Sequence, residues 1–337
     1  MNRRTFVSLC AASMIAAVPF TAHSAESVSL KFANPGAPQG DVSTQIIQPW
    51  VAKVNNEAAG SMHVQLFSGP ALGAFPQIYD RVLNNVADIA FALLGPLSRQ
   101  FPQTSVASLP FETPNAAVGT VALWHVYERG LLANEWSQVK PLTLMVFPNV
   151  VVHTNKPIKA LADMEGLKLS VQSPLLSQTI RRLGAAPITL PVTDLYESLN
   201  RGVIDGAVIG WPATRSYRVA ELTNHHLEAP LGAEVTFIMM NKESYDKLDA
   251  KDRGIIDNAS GGPWATAIGK ILDGIDKAQA ERVAKAPGET VAQLSAAEQA
   301  KWKAQVEQVV DEWTKRTPNG AAVLAAYREE IAKLTKK

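Results

Sequence analysis

From residue 27 to residue 209 the chain alternates two patterns: short runs with an apolar residue at every second position, and longer runs with apolar residues three and four apart. Alternating strand and helix periodicities restrict the fold to the α/β class, in which helices cover a sheet. Val28, Leu30 and Phe32 alternate with Ser29 and Lys31 and predict a strand over 27–33. A loop with Asn34, Pro35, Gly36, Pro38 and Gly40 then leads into a helix expected over 41–56. Met62, Val64 and Leu66 predict a second strand, broken by Gly69-Pro70. A helix over 74–85 and a buried strand over 88–94 follow. Thr113 before Pro114 reads as the N-cap and first turn of a helix running to about 131.

The second half repeats this alternation. Residues 141–153 form a long apolar strand pattern, a candidate crossing between lobes. A strand at 167–171 precedes a helix opened by Ser173-Pro174 and ended by Gly184. A short helix over 193–200, a strand over 204–209 closed by Gly210, and a strand over 235–240 that returns to the first lobe are expected next. From Ser244 onward the pattern is helical almost throughout. Ser295 and Glu298 have capping-box spacing, and Trp302, Val306, Val309, Val310 and Trp313 make a helical stripe that reads as core.

Residues 1–25 read as a signal peptide. Met1 to Arg4 form a positive start, Phe6–Phe20 is apolar, and Thr21 to Ala25 supply small residues for cleavage. The apolar run of 15 residues falls short of the roughly 20 that span a bilayer. Arg3-Arg4 leaves both the general secretory and the twin-arginine routes open. The only cysteine, Cys10, lies in this segment, so the mature chain is expected to have no disulfide, no thiolate nucleophile and no cysteine metal site. About 312 residues follow residue 25, a length that suits two lobes. The formal charge of +1 becomes −1 without Arg3 and Arg4, which gives no support for binding nucleic acid or an anionic membrane surface.

Enzyme signatures are missing. The chain has no G-x-S-x-G elbow, P-loop or H-E-x-x-H. His63, His125, His153 and the adjacent His225 and His226 show no metal-ligand spacing, and no cofactor or metal is expected. Glu112, Asp194 and Asp205 each have a capping or turn reading in preference to a catalytic one.

A series of short motifs appears in a characteristic order. Phe67 to Gly73 reads FSGPALG, followed by Asp88-Ile89-Ala90 and Leu109-Pro110-Phe111. Then come Asn155-Lys156-Pro157-Ile158, Met164 to Leu169, Leu183 to Pro187, and Leu199 to Gly206. This order resembles the extracytoplasmic solute-binding proteins of TRAP transporters, the DctP-like family. The resemblance implies an α/β, two-lobed periplasmic-binding-protein-like fold with a ligand cleft between the lobes and a helical C-terminal region. It implies hinge closure on a small organic solute and delivery to the membrane permease subunits of an ion-gradient-driven TRAP transporter. It implies a periplasmic protein that is no enzyme and has no stable membrane anchor. Lobe I is expected over 26–148 with a return segment of about 236–275, and lobe II over 149–235 with C-terminal helices of about 276–337.

One departure stands out. The family's carboxylate-binding arginine, in the strand after the Gly-Leu-Lys segment, is here Ser170, and the second arginine of sialic-acid-binding members falls near Val150. Three replacements are open. Ser170, Gln172 and Ser173 can join the N-terminus of the helix at Pro174 to hold an anion. Another arginine among Arg99, Arg182, Arg215 and Arg218 can enter the cleft, with Arg215 the best placed. Alternatively the solute is neutral or cationic and meets Glu112 and aromatic faces. Trp211, just past a strand end, is the candidate ligand wall, with Phe91, Phe147 and Phe237 as weaker wall candidates. Asn34, Leu94, Gly95 and Asn149 are candidate polar or backbone contacts. The expected ligand is a small organic acid with an apolar or aromatic body. A receptor for another uptake system, an exported hydrolase and a ligand sensor are the competing readings.

Overall fold

The computed structural model describes residues 27–336; the expected signal peptide lies outside the described residues. Nine strands form one sheet: β1 (Val28–Asn34), β2 (Met62–Ser68), β3 (Ile89–Leu93), β4 (Val139–Thr154), β5 (Lys168–Val171), β6 (Ala186–Thr189), β7 (Gly206–Ile209), β8 (His225–Asn241) and β9 (Thr290–Gln293). Their order is β2-β1-β3-β8-β4-β7-β5-β6, with β9 paired to β8. The helices are α1 (Gln48–Ala58), α2 (Ile78–Leu83), α3 (Leu94–Leu97), α4 (Ala116–Glu128), α5 (Pro174–Arg182), α6 (Leu195–Asn200), α7 (Trp211–Ser216), α8 (Lys242–Asp246), α9 (Ala250–Asn258), α10 (Gly261–Ala284), α11 (Ala296–Arg316) and α12 (Gly320–Thr335). Among the described residues no helix is long and apolar enough to cross a membrane.

Two lobes follow from the strand directions. β1, β2 and β3 are mutually parallel, as are β5, β6 and β7. The antiparallel steps β3–β8, β8–β4 and β4–β7 make the two parallel sets run toward each other, so their C-terminal ends face across a cleft. β4 and β8, of 16 and 17 residues, extend for roughly 50 Å at about 3.3 Å per residue and belong to both lobes. The interior strands are nearly all apolar because helices cover both sheet faces. One core on the first lobe contains Phe101, Trp136 and Phe237, and another, under the second lobe, contains Leu169, Val171, Ile180 and Trp302.

Most expected elements appear, with five instructive differences. α4 is capped by Asn115, whose side chain accepts from Val118 N at 2.9 Å, not by Thr113. The Thr113 hydroxyl instead donates to the Ala107 carbonyl at 2.8 Å and meets the Tyr327 hydroxyl at 2.7 Å. β8 begins ten residues before the expected start, because Pro230, Gly232 and Glu234 hide its alternation. β6 and β9, four residues each, escape prediction because neither alternates well. The C-terminal helices do not all belong to the second lobe. α11 buries Trp302, Val306 and Val309 there, but α12 packs on the first lobe, where Glu330 meets His125 at 2.9 Å and Arg328 reaches Glu112 at 2.8 Å. The Ser295 cap of α11 forms, at 3.2 Å from Glu298 N, yet the Glu298 carboxylate turns to Leu161 N at 3.0 Å and fastens α11 to the second lobe.

α10 holds α4 by both shape and charge. The Asp273 carboxylate accepts from the N–H groups of Ala116 and Ala117 at 2.8 and 2.9 Å, satisfying the first turn of α4. Gly269 lets the backbones approach: a Cβ there would stand 2.7 Å from Ala117 Cα and 2.9 Å from the Ala116 carbonyl oxygen. Gly269→Ala is therefore expected to destabilise the protein by about 1–3 kcal/mol, outweighing the gain in helix propensity of about 1 kcal/mol. A lower urea midpoint with an unchanged slope is the expected measurement.

Candidate functional site

Ligands of open α/β sheets bind beyond the carboxyl ends of parallel strands. Here the ends of β1, β3 and β7 meet where β4 and β8 cross between the lobes. The crossing is irregular: Val146 pairs with Val235 and Asn149 with Ala233, so Phe147 and Pro148 stand opposite Glu234 alone. Such a bulge bends the strand and redirects side chains. Phe147, Glu234 and Thr236 line a cavity with Phe75, Phe91 and Tyr217. Phe75 and Phe91 meet edge to face at 5.8 Å and 78°. Gly36 lies against that pair, since a Cβ on it would come within 3.8 Å of either ring.

The cavity offers about 70 Å³ to the centres of water molecules. One water needs about 10–15 Å³ by that measure, so the space suits a single small ring. Thr236 is 1 % exposed and its hydroxyl has no hydrogen-bond partner. Desolvation alone raises the Glu234 carboxyl to about 7, and no hydrogen bond or neighbouring charge offsets it. Burial, and then the charge of Glu234, raises the Tyr217 phenol. No lysine or arginine is among the lining residues. Thr236 is buried and Glu234 half-buried, and polar groups so placed without partners in a native fold point to an absent ligand or water.

The lobes touch around this cavity. At its mouth Arg215 donates to Asp41 at 3.1 Å, joining the second lobe to the first, and Gln279 donates to the other Asp41 oxygen at 3.2 Å. At a second meeting of the lobes a Cβ on Gly95 would overlap the Gln172 carbonyl oxygen, so glycine alone allows this approach. Leu94, Gly95, Gln172 and Ser173 meet there around a second cavity of about 220 Å³, which Glu234 also reaches. Ser173 caps α5, accepting from Leu176 N at 3.1 Å.

Several expected site residues lie elsewhere. Ser170 is fully buried, accepts from Gln172 Nε2 at 3.2 Å, and lines neither cavity. Arg215 does not enter the cleft; Asp41 neutralises it at the rim, with its side chain 56 % exposed. Asn34 is buried in its own loop, donating to Ser43 Oγ at 2.8 Å and accepting from Gly36 N at 3.1 Å. It shapes the cavity's edge without facing it. Asn149 holds the crossing, donating to the Thr113 carbonyl at 2.9 Å and accepting from Gly232 N at 3.2 Å. Phe237 points away into the first-lobe core, 5.0 Å from Phe101 and 4.9 Å from Trp136.

Trp211 does not line the aromatic cavity; it packs against Val151 and Val283 and borders a separate cavity with Asn149. It is 1 % exposed, and its indole N–H donates to Glu228 at 2.9 Å. Its ring sits 5.1 Å from His153 and 5.2 Å from His226. These histidines are cross-strand partners on β4 and β8, with Nδ1 atoms 2.7 Å apart, and His226 Nε2 reaches Glu289 at 2.8 Å. Burial and then His226 lower the His153 pKa to about 3, so it is neutral. Burial also lowers His226, against the pull of Glu289. Spacing alone hid this pair, which lies 73 residues apart in sequence.

Phe91 and Phe147, named as weaker walls, do line the cavity, while Phe75, Tyr217, Glu234 and Thr236 were missed. Glu234 left a signal, as the one charge in the run from Leu231 to Met240. The expected strand started just after it and so excluded it.

A family model described as bacterial extracellular solute-binding protein, family 7, matches residues 33–317. The outer membrane transporter protein TsaT of Comamonas testosteroni is 30% identical over 286 residues, 82% of this chain and 83% of that protein. A TRAP solute-binding protein of Rhodoferax ferrireducens T118, solved with copurified benzoate, is 31% identical with a TM-score of 0.87, covering 92% of this chain and 99% of that one. A marine metagenome TRAP solute-binding protein specific for aromatic acid ligands, solved with 3-hydroxybenzoate, is 29% identical with a TM-score of 0.86, covering 91% and 98%.

Because Trp211 fills the core beside the histidine pair, Trp211→Ala is expected to cost about 3–5 kcal/mol of stability. A large fall in the thermal midpoint of the ligand-free protein checks this; an intact midpoint with weakened binding would return Trp211 to the cleft.

Proposed function

Because the chain belongs to the family 7 bacterial extracellular solute-binding proteins, the receptors of TRAP transporters, we propose that it is a periplasmic receptor for an aromatic monocarboxylate. It closes on that ligand and presents it, chemically unchanged, to the membrane permease subunits. We place the lobe boundaries at the crossing, near 148/149 and 235/236. The observation that carries the ligand class is the ring-sized cavity, whose aromatic side chains Phe75, Phe91, Phe147 and Tyr217 surround two polar groups without partners. Relatives that bind benzoate and 3-hydroxybenzoate support the same class. Compact dicarboxylates gain little from rings and meet no guanidinium here to hold a second charge.

Titration calorimetry with benzoate, 3-hydroxybenzoate and four-carbon dicarboxylates tests the ligand class. Aromatic acids are expected to bind at least about tenfold tighter, worth about 1.4 kcal/mol; equal or tighter dicarboxylate binding overturns the reading. Closure has its own test. The Gly95 backbone is compatible with alanine, and only the meeting of the lobes forbids a Cβ. Gly95→Ala is expected to leave the melting temperature of the ligand-free protein near wild type and to weaken benzoate binding by tenfold or more. Unchanged affinity would show that the Gly95–Gln172 approach is no part of the loaded state.

A further inference from the structure

Glu234 sits where the ligand must. In a cavity sized for one ring, the occupant lies against every wall, and Glu234 stands alone opposite the bulge at Phe147-Pro148. The charged and titratable groups around it are few. Tyr217 faces it from the end of α7, Asp41 lines the rim and is joined to Arg215, and Glu312 and Arg316 line the second cavity. Arg316 lies 3.7 Å from Glu312, which Arg182 also meets at 3.0 Å. Among the described residues no cation neutralises Glu234, and an arriving carboxylate would place a second negative charge in the same apolar space. Glu234 is half-buried, and two carboxylates sharing this apolar space disfavour each other's ionised form. One proton between them converts repulsion into a short charge-assisted O–H···O⁻ hydrogen bond.

Resting on the aromatic-acid reading, we propose that Glu234 is protonated in the loaded receptor, so that each carboxylate ligand enters the cleft together with one proton from solution. The balance is simple: the ligand arrives as the anion, water supplies the proton to the Glu234 carboxylate, and the pair in the cavity carries one negative charge in place of two. Desolvation already prepares this state by holding the empty cleft's carboxyl near 7. Glu234 is thus a specificity-determining residue that replaces a fixed cation with a captured proton. The sign follows from linkage. Below pH 6 Glu234 is protonated before binding, no proton is taken up, and affinity is flat. Above pH 7 it must be protonated on loading, and affinity falls by about tenfold per pH unit. A carboxylate ligand stays ionised above roughly pH 5, so its own titration does not produce this slope.

Benzoate binding to the full mature chain, by calorimetry at pH 5.5 and pH 8 in buffers of different ionisation enthalpy, reads the proton directly. Uptake approaching one proton per ligand at pH 8 and near zero at pH 5.5 is expected. Glu234→Gln keeps a hydrogen-bond donor without a titrating group; its affinity should be independent of pH from 6 to 9, with no uptake. Asp276 and Glu135, also raised to about 7, are unchanged in that variant, so they serve as internal controls. If the variant fails to fold, the wild-type proton count at the two pH values decides alone. No uptake at pH 8, proton release, or equal uptake by the variant overturns the inference and leaves the aromatic-acid reading intact if benzoate binds. Failure of benzoate and 3-hydroxybenzoate to bind at any pH overturns both.

Discussion

The pairing of β4 with β8 is the constraint on which the rest depends. Among the described residues these two are the sheet's only long strands, and each enters both lobes. Since they join two parallel strand sets that run toward each other, the C-terminal strand ends face one another across the crossing. The cleft is therefore a consequence of topology. The bulge between Val146 and Asn149 adds the detail, because two residues opposite one must bend the ladder and turn Phe147 and Glu234 toward the space between the lobes.

Around that crossing the molecule divides its polar groups by task. Asn34 and Asn149 hold loops and backbone, the His153–His226–Glu289 chain fills the hinge side beneath Trp211, and Asp41 with Arg215 closes the rim. All of these have protein partners. Glu234 and Thr236 do not, and that difference separates the groups that build the cleft from those left for a ligand. The proposed neutral acid would also supply the charge balance for which an arginine was expected at Ser170. The requirement that guanidinium meets is charge balance, and a proton meets it too.

The strand and helix elements were legible because they rest on local periodicity. Leu30 and Phe32, Met62 and Val64, and the Trp302–Trp313 stripe each display one apolar face that is buried as expected, while Val28 at the start of its strand stays exposed and Leu66 is half-buried. The motif order sufficed for the family because motifs are read along the chain. The site was only partly legible. Trp211 looked like a ligand wall because it follows a strand end, yet as the first residue of α7 its ring packs onto His153 and His226. Ser170 was read by alignment with a functional position, but its burial against Gln172 removes it from the cavity. Glu234 was visible as a lone charge in an apolar run and lacked only the knowledge of what it faces.

The sequence by itself determined the α/β class, the family, and most strand and helix positions, all of which reside in nearest-neighbour spacing and residue type. Only the tertiary structure decided which side chains share the cleft. Phe75, Phe91, Phe147, Tyr217 and Glu234 come from five separate segments. Their meeting depends on strand order, on the hand of each register and on one bulge, none of which leaves a local trace. The same holds for Gly95, whose small size has a reason only once Gln172 of the other lobe lies against it.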